Sequence, residues 1–308
     1  MPATDISSSP STFVTEVPPA QSNTWTYHDA FSRHLGLLSS REQQTLRNSH
    51  VAIAGMGGVG GVHLVTLARL GIGHFTIADP DTFEVANFNR QYGATLENIG
   101  RAKADVMAEQ VRQINPEAQV TVFREAITEE NVDRFLADND IFVDGIDFFS
   151  IAARRLVFRE AHERGLWAVT AGPIGFSAAW LGFDPHGMSF DRYFDLHDGL
   201  DRLDQLIAFA VGLTPRATHL RYLDLSRVDP NADCGPSAGL ACHLASGVMA
   251  TEVLKILLNR QPVRAAPWYF QFDAHRQIFR RGRLWRGNRH PLQRAKRYWL
   301  RRRFDRAD

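Results

Sequence analysis

Cysteine is scarce in this chain: the 308 residues include two, Cys234 and Cys242. A single pair excludes a disulfide framework, and it cannot supply a four-cysteine zinc site. His34, His63 and His219 show no shared metal-ligand spacing, so we assign them no role. The sequence therefore predicts no structural zinc.

Long apolar runs are also lacking. Residues 1–25 have no apolar core of the kind found in signal peptides, so we expect a disordered leader there. The apolar run 206–213 is far shorter than a bilayer-spanning segment. The sequence predicts no transmembrane segment and a cytoplasmic protein.

Charge is nearly balanced over the whole chain but is unevenly distributed. Residues 276–308 hold 13 Lys and Arg against two acids, whereas residues 1–275 hold 22 basic and 32 acidic groups. Such asymmetry predicts a separate role for the basic tail. An acidic partner, RNA or membrane headgroups would suit it, and so would docking on the acidic body of the same chain.

Strand and helix patterns alternate through the first half of the chain. A helical N-terminal arm at 26–48 precedes apolar strands that alternate with amphipathic helices. The predicted strands are 51–55, 74–81, 119–126, 141–147 and 167–172. This order predicts an α/β fold: a doubly wound, Rossmann-like, mostly parallel sheet with helices on both faces.

The second half is less regular. Residues 184–233 contain one predicted helix, 201–213, in an otherwise irregular stretch that we interpret as a substrate-side insertion. Two short strands, 267–273 and 277–282, end a core domain that we place at 26–275, ahead of the tail.

A long apolar helix is predicted from Ser237 to Asn259. Cys242 and His243 fall within it, and we expect both to be buried in the core.

The sequence GMGGVG follows the first predicted strand. Glycines in this position let backbone amides approach phosphates at the start of a helix, and Asp79, after the second strand, is placed to bind a ribose. The pattern fits NAD, FAD and ATP equally well. The glycines of this loop that we expect to contact the nucleotide are Gly55, Gly57, Gly58 and Gly60.

Three charged residues favour a triphosphate. Arg90 and Lys103 follow the glycine loop on the same sheet edge, and fixed cations offset the extra charge of a triphosphate. Asp147, predicted at the end of the fourth strand, suits a Mg²⁺ ion held beside a polyphosphate. The simpler alternatives are solvated surface cations and a carboxylate that caps the strand end.

Several ordered motifs between Phe31 and Gly172 resemble a known family. These motifs are FSRHLG, GMGGVG, DPDTFEVANFNRQ, GRAK and DGIDFF. They are similar to those of the E1-like adenylyltransferases, the group of ThiF, MoeB and HesA proteins related to the ubiquitin-activating enzymes. The resemblance implies that a carboxylate attacks the α-phosphate of ATP, which yields an acyl-adenylate and pyrophosphate.

The resemblance also implies roles for individual residues. Asp79 would bind the ribose and Asp147 would bind Mg²⁺, while Arg33 would reach the phosphates of the partner subunit in a homodimer. The residues implied to hold the phosphates are Asn87, Arg90, Gln91 and Lys103.

The chain departs from the family in its cysteines. Many members carry two CxxC pairs that bind zinc, and many have a crossover-loop cysteine that accepts the acyl or sulfur group. Cys234 lies in a loop ahead of a helix and is the candidate nucleophile, unless it is an ordinary loop thiol.

Four functions remain open from the sequence. The first is an adenylyltransferase acting on the C-terminus of a ubiquitin-like, sulfur-carrier or peptide partner, or on a small acid. The others are a tRNA-modifying dehydratase of the same fold, an NAD-dependent oxidoreductase, and an inactive scaffold that only binds partners.

Overall fold

A computed structural model describes residues 24–260 and 263–305, so almost all of the predicted leader lies outside the described residues. Within these ranges the helices are α1 (Tyr27–Ala30), α2 (Ser40–Asn48), α3 (Gly58–Arg69), α4 (Lys103–Ile114), α5 (Val132–Leu136), α6 (Ile151–Glu163), α7 (Phe190–Phe194), α8 (Arg202–Leu213), α9 (Gly239–Leu257) and α10 (Pro291–Phe304). The strands are β1 (His50–Ala54), β2 (His74–Ala78), β3 (Gln119–Phe123), β4 (Ile141–Asp144), β5 (Trp167–Ile174), β6 (Ser177–Phe183), β7 (Trp268–Asp273) and β8 (Ile278–Arg283).

The strands form one sheet in the order β3-β2-β1-β4-β5-β6-β7-β8. The first five run parallel, and β6, β7 and β8 continue the sheet as antiparallel neighbours. The chain moves outward from β1 to β3 and then crosses back to β4, which makes the carboxyl ends of β1 and β4 a topological switch point. The prediction of a doubly wound, mostly parallel sheet is confirmed.

Helices cover both faces of the sheet. On one face α2, α3, α4 and α9 share a core with the inward side chains of the strands. On the other face α5 to α8 form a second core that is rich in phenylalanine. Because both faces are buried, the central strands are apolar throughout rather than alternating.

Two elements differ from the sequence prediction. The arm at 26–48 is not one helix, because the chain turns at Gly36, whose φ of 104° is left-handed and ends the helical path. Strand β6 was not predicted, since SAAWLGF has few β-branched residues, yet each of its seven residues is buried between two neighbouring strands.

Helix α9 packs against α3 and against β5 and β6. It is long and apolar enough to cross a membrane by length and composition alone, because Glu252 and Lys255 are the only Asp, Glu, Lys or Arg residues within it. The expectation that no apolar run approaches the length of a bilayer-spanning segment was therefore wrong. Cys242 is buried as predicted, but the prediction for His243 was wrong. His243 lies on the exposed face of α9, in line with Leu240 and Gly247, at the three- to four-residue spacing of one helix face.

The basic tail docks on the body, and the boundary set at 275/276 lies in the turn between β7 and β8. Asn288 is fully buried and donates to the carbonyl oxygens of Phe194 (2.9 Å) and Ala208 (2.6 Å). Arg297 pairs with Asp195 at 2.8 Å, and Arg301 pairs with Asp201 at 2.7 Å. Opposite charges and buried amide contacts therefore hold α10 against the region of α7 and α8.

Acid should destabilise the fold through His63. This side chain is fully buried on α3, and burial lowers the pKa of its imidazole to about 3. The folded state therefore keeps it neutral, while the unfolded chain binds a proton below about pH 6.5. The free energy of unfolding should fall as pH drops from about 6.5 towards 3, with this group contributing up to about 1.4 kcal/mol per pH unit.

Urea unfolding of the wild type and His63→Leu between pH 7 and 4 measures this contribution. In the variant, the slope of the free energy of unfolding against pH should be smaller by the contribution of about one proton bound on unfolding. His186→Leu, at an exposed position, is the matched control. An identical pH dependence in the wild type and His63→Leu would contradict a buried neutral imidazole.

Candidate active site

The glycine loop joins β1 to α3 at the switch point. Gly55 has a φ of 87°, and its amide donates to the Ala78 carbonyl oxygen at 2.7 Å. A Cβ on Gly60 would overlap the Gly55 carbonyl oxygen, and one on Gly145 would lie 2.7 Å from the Gly60 Cα. The backbones of β1, α3 and the segment after β4 therefore meet directly, and the first turn of α3 begins at the carboxyl edge of the sheet.

Asp79 follows β2 directly and supports this loop. Its carboxylate accepts hydrogen bonds from the backbone amides of Met56 (2.6 Å) and Asp81 (2.8 Å). Burial raises the pKa of this carboxyl, although the two amides and the nearby Lys103 ammonium oppose the rise. Each oxygen retains a lone pair for a ligand hydroxyl. Its role towards a ribose remains a prediction.

The segment after β2 lies across the start of α3. The Arg90 side chain packs on Gly58, where a Cβ would lie 3.3 Å from the Arg90 Cγ, and its Nη1 donates to the Ala86 carbonyl oxygen at 2.9 Å. Gln91 is buried beside Gly57, and its side-chain oxygen has no partner among the residues that the structure describes.

Asn87 has a structural contact of its own. Its side-chain oxygen accepts from the Glu84 amide at 3.0 Å and so fixes the turn that carries the arginine. Of the residues that the resemblance implies to hold the phosphates, Arg90 and Gln91 contact the glycine loop directly.

Lys103 is the first residue of α4 and is buried. Its Nζ donates to the Asp81 carboxylate at 2.9 Å, and its amide donates to the Asp81 carbonyl oxygen at 2.9 Å. The lysine thus lies beside the Asp79–Asp81 segment, on the same edge as the glycine loop. Two cations and the amides of the first turn of α3 make this edge suitable for an anion.

The prediction that Asp147 lies at the end of the fourth strand was wrong. Strand β4 ends at Asp144, and Asp147 is exposed in the loop beyond, where its carboxylate accepts from the Phe149 amide at 2.9 Å. Because Gly145 touches the glycine loop, this loop places Asp147 next to the same edge.

A buried ion pair, which the sequence reasoning missed, fixes this loop. Asp144 pairs with Arg154 at 2.8 Å and accepts from the Thr170 hydroxyl at 2.7 Å. Arg154 also donates to the carbonyl oxygens of Ile146 and Phe148, within the loop itself. An acid at the end of an otherwise apolar strand was the available signal, since a buried carboxylate requires a partner.

The two cysteines lie in different surroundings. Cys242 is buried below Arg90, with its sulfur 3.3 Å from the position of a Cβ on Gly58, and burial raises the pKa of its thiol to about 11. Cys234 is exposed, five residues ahead of α9, and the next residue, Gly235, lies close to Phe149. Cys234 therefore lies near the loop that bears Asp147, and its role as a nucleophile remains a prediction.

Arg33 lies apart from the site described above. It is exposed in a short 3-10 turn, Ser32–His34, in the N-terminal arm. The arm is tied to the far end of α9, where Arg260 pairs with Glu42 and donates to the Leu37 carbonyl oxygen at 2.9 Å. Within one subunit Arg33 is therefore remote from the glycine loop.

Removal of Arg154 should destabilise the protein strongly. Arg154→Leu leaves the Asp144 carboxylate buried and unpaired, which typically costs about 3–5 kcal/mol. Arg159→Leu on the same helix removes a half-exposed charge with long ion pairs and should cost less than about 1 kcal/mol. Denaturant unfolding measures both, and equal losses would contradict a structural role for the buried pair.

Known proteins with similar sequence cluster in one group. The model of the ThiF family matches residues 31–294. The tRNA threonylcarbamoyladenosine dehydratase of Escherichia coli K12 is 37% identical over 152 residues, which is 48% of this chain and 56% of that protein. The sulfur carrier protein ThiS adenylyltransferase of the same organism is 31% identical over 143 residues, 46% of this chain and 56% of that protein.

A solved structure gives the same result. The crystal structure of the E. coli tRNA N6-threonylcarbamoyladenosine dehydratase in complex with ATP aligns with a TM-score of 0.56 and 25% identity, over 76% of this chain and 95% of that chain. The chain spans about half the length of the curated relatives it matches. The family match extends well beyond the nucleotide half, and the chain belongs to the ThiF family.

Proposed function

We propose that this protein activates a carboxylate by adenylation with ATP. The observation that carries the proposal is that two cations lie at one edge of the sheet: Arg90 packs on Gly58 at the start of α3, and Lys103 lies beside the Asp79–Asp81 segment. A dinucleotide pyrophosphate needs little more than the glycine loop and the helix start, which would leave these two cations without a role. The ATP complex of the solved dehydratase supports the same choice.

In the proposed reaction, an oxygen of the substrate carboxylate attacks the α-phosphorus of ATP. The bond from that phosphorus to the bridging oxygen of the β-phosphate breaks, and pyrophosphate leaves. Arg90 and Lys103 stabilise the negative charge that develops on the α-phosphate and the leaving group. Asp79 orients the nucleotide through its ribose hydroxyls and holds the glycine loop in place.

Asp147 fits a magnesium ion held mainly by the nucleotide. One carboxylate oxygen accepts from the Phe149 amide, which leaves the other free on an exposed side chain. Mg²⁺ usually binds through one or two carboxylates together with substrate phosphates and water. Among the described residues no group of three or more His, Cys, Asp or Glu side chains is placed to hold a metal ion, so in this proposal the phosphate oxygens supply the remaining ligands.

We further propose that the carboxylate belongs to a threonylcarbamoyl group on a tRNA adenosine. The E. coli relative of that name matches at higher identity than the ThiS adenylyltransferase, and its solved chain is covered almost completely. Adenylation also explains a dehydration. A nucleophile within the substrate attacks the activated carbonyl, AMP leaves with one former carboxylate oxygen, and the product has lost the elements of water.

Pyrophosphate exchange into ATP tests this function. Exchange should require tRNA that carries the threonylcarbamoyl group, and it should be absent with unmodified tRNA or a sulfur-carrier protein. Lys103→Ala should lower the rate by about 10²–10³-fold, because it removes a charge-assisted contact to the reacting phosphates. Arg101→Ala is the matched control, since Arg101 is exposed and pairs with Glu109.

Other outcomes would favour the alternatives. Exchange that requires a carrier protein would indicate that the substrate carboxylate is a protein C-terminus. Hydride transfer with NADH would refute the ATP proposal, and no exchange with any substrate would support a scaffold.

We also propose a symmetric homodimer across α9. This helix begins beside the nucleotide site, where the Gly239 amide donates to the Asn89 carbonyl oxygen at 3.1 Å, and it ends at the N-terminal arm. Exposed apolar side chains lie in the arm and in the segment after β2, such as Leu37 (76% exposed) and Leu96 (81% exposed). Antiparallel packing of two copies of α9 would bring the arm of each, with Arg33, to the partner's nucleotide site.

Complementation between subunits tests this arrangement. Arg33→Ala and Asp147→Ala should each be inactive alone, because each removes one part of every site. Mixed dimers should recover up to about half of the wild-type activity per mixed dimer, since one site becomes intact. A fully active monomer in light scattering, or mixtures with no recovery, would contradict the proposal.

A further inference from the structure

A second basic cavity lies away from the nucleotide site. It has a volume of about 760 Å³ and opens between the segment after α8, strand β8 and helix α10. Four arginines and one aromatic side chain line it: Arg216, Arg221, Arg276, Arg280 and Trp299. Such a concentration of guanidinium groups in one concave surface is characteristic of anion binding.

The four arginines are not used to hold the tail. In the part of the chain that the structure describes, none of them pairs with a carboxylate, and no acidic side chain lines the cavity. Other arginines of the basic tail hold it to the body through Asp195 and Asp201: Arg289, Arg297 and Arg301. Arg276 and Arg280 of the tail, together with Arg216 and Arg221 of the body, therefore form a separate set of cations that have no carboxylate partner among the described residues.

Part of the cavity wall is fixed in place. The Arg216 Nε donates to the Tyr269 hydroxyl at 3.2 Å, and the Arg276 Nη1 donates to the Thr218 carbonyl oxygen at 3.4 Å. Thr218 is itself a lining residue and is only 7% exposed, so this side of the cavity belongs to the packed body of the protein.

Trp299 adds a flat apolar surface to the same cavity. It is 52% exposed on α10, and the Arg303 guanidinium carbon lies 5.8 Å from the centre of its ring. An exposed aromatic ring among cations is the usual arrangement for binding unpaired nucleotides, with the base on the ring and the phosphates on the arginines.

The cavity lies on the same edge of the sheet as the nucleotide site. Strand β5 runs parallel to β1, and the Ser177, Asp273 and Ile278 ends of β6, β7 and β8 pair at the edge where β5 ends. Five strand spacings separate β1 from β8, or about 24 Å. A small metabolite cannot reach both places, whereas a macromolecular substrate can.

We propose that this cavity binds the phosphate backbone of an RNA strand, with one base stacked on Trp299. The inference rests on the proposed tRNA substrate and adds a second contact site for it, remote from the reacting carboxylate. An acidic peptide would leave the exposed indole without a stacking partner. A membrane would meet these arginines within a concavity rather than on a flat face.

Fluorescence anisotropy of a labelled tRNA transcript, measured against KCl concentration with the full-length protein, tests the proposal. Arg221→Ala/Arg280→Ala removes two cations that form no hydrogen bond or ion pair with another side chain among the described residues. It should weaken binding at least about tenfold and reduce the slope of log K against log salt by about two. Arg294→Ala/Arg302→Ala, which removes two exposed arginines of α10 outside the cavity, is the matched control for charge.

Trp299→Leu should weaken binding about tenfold, and Trp299→Phe should retain most of it, because a smaller ring still stacks. Melting temperatures of all variants show that the fold is retained.

The outcomes separate this proposal from the proposed function. tRNA binding that depends on Arg221 and Arg280 supports RNA binding in the cavity, whether or not tRNA stimulates pyrophosphate exchange. A failure of tRNA to stimulate exchange would overturn only the proposal that tRNA is the substrate. tRNA-stimulated exchange, with equal tRNA affinity in Arg221→Ala/Arg280→Ala and in the Arg294→Ala/Arg302→Ala control, overturns the cavity and leaves the proposed substrate. If Arg221→Ala/Arg280→Ala loses binding to anionic vesicles while its tRNA binding is unchanged, the proposal that the cavity binds RNA is also overturned.

Discussion

The direct contact of three glycine backbones is the constraint on which the nucleotide site depends. Gly55, Gly60 and Gly145 approach so closely that a methyl group on Gly60 would overlap the Gly55 carbonyl oxygen. This contact brings the first turn of α3 against the ends of β1 and β4. It also fixes the start of the loop that carries Asp147, so the amide donors and the carboxylate share one edge.

Charge in this protein is divided between structure and ligand binding. The Asp144–Arg154 pair is buried and holds a loop, and the Asp195 and Asp201 pairs hold the tail. Arg90 donates to the Ala86 carbonyl oxygen and Lys103 to the Asp81 carboxylate, and both lie at the edge of the nucleotide crevice. The net charge of the chain conceals this division, because opposite charges in the body and the tail largely cancel.

The sequence predicted the parallel half of the fold well, because strands β1 to β5 are short apolar runs separated by amphipathic helices. It did not predict β6, whose alanines and glycine carry no strand signal and whose burial comes from neighbours distant in sequence. The spacing of the glycine loop, Asp79, Arg90 and Lys103 predicted that they lie at one edge of the sheet, which the structure shows, while their roles towards a nucleotide remain predictions. The Asp144–Arg154 pair was missed because the acid at the end of an apolar strand shows that a partner is needed but not which residue of the following helix supplies it. His243 was misplaced because apolar composition does not show which face of α9 is covered.

The central claim is that a substrate carboxylate attacks the α-phosphorus of ATP. Substrate tRNA labelled with ¹⁸O in its threonylcarbamoyl carboxylate tests it directly, by mass spectrometry of the AMP that is released. The proposed chemistry predicts one ¹⁸O atom in AMP and none in pyrophosphate, because the carboxylate oxygen that bonds to the α-phosphorus leaves with it. Label retained entirely in the tRNA, or found in a phosphate released from the γ-position, would contradict adenylation.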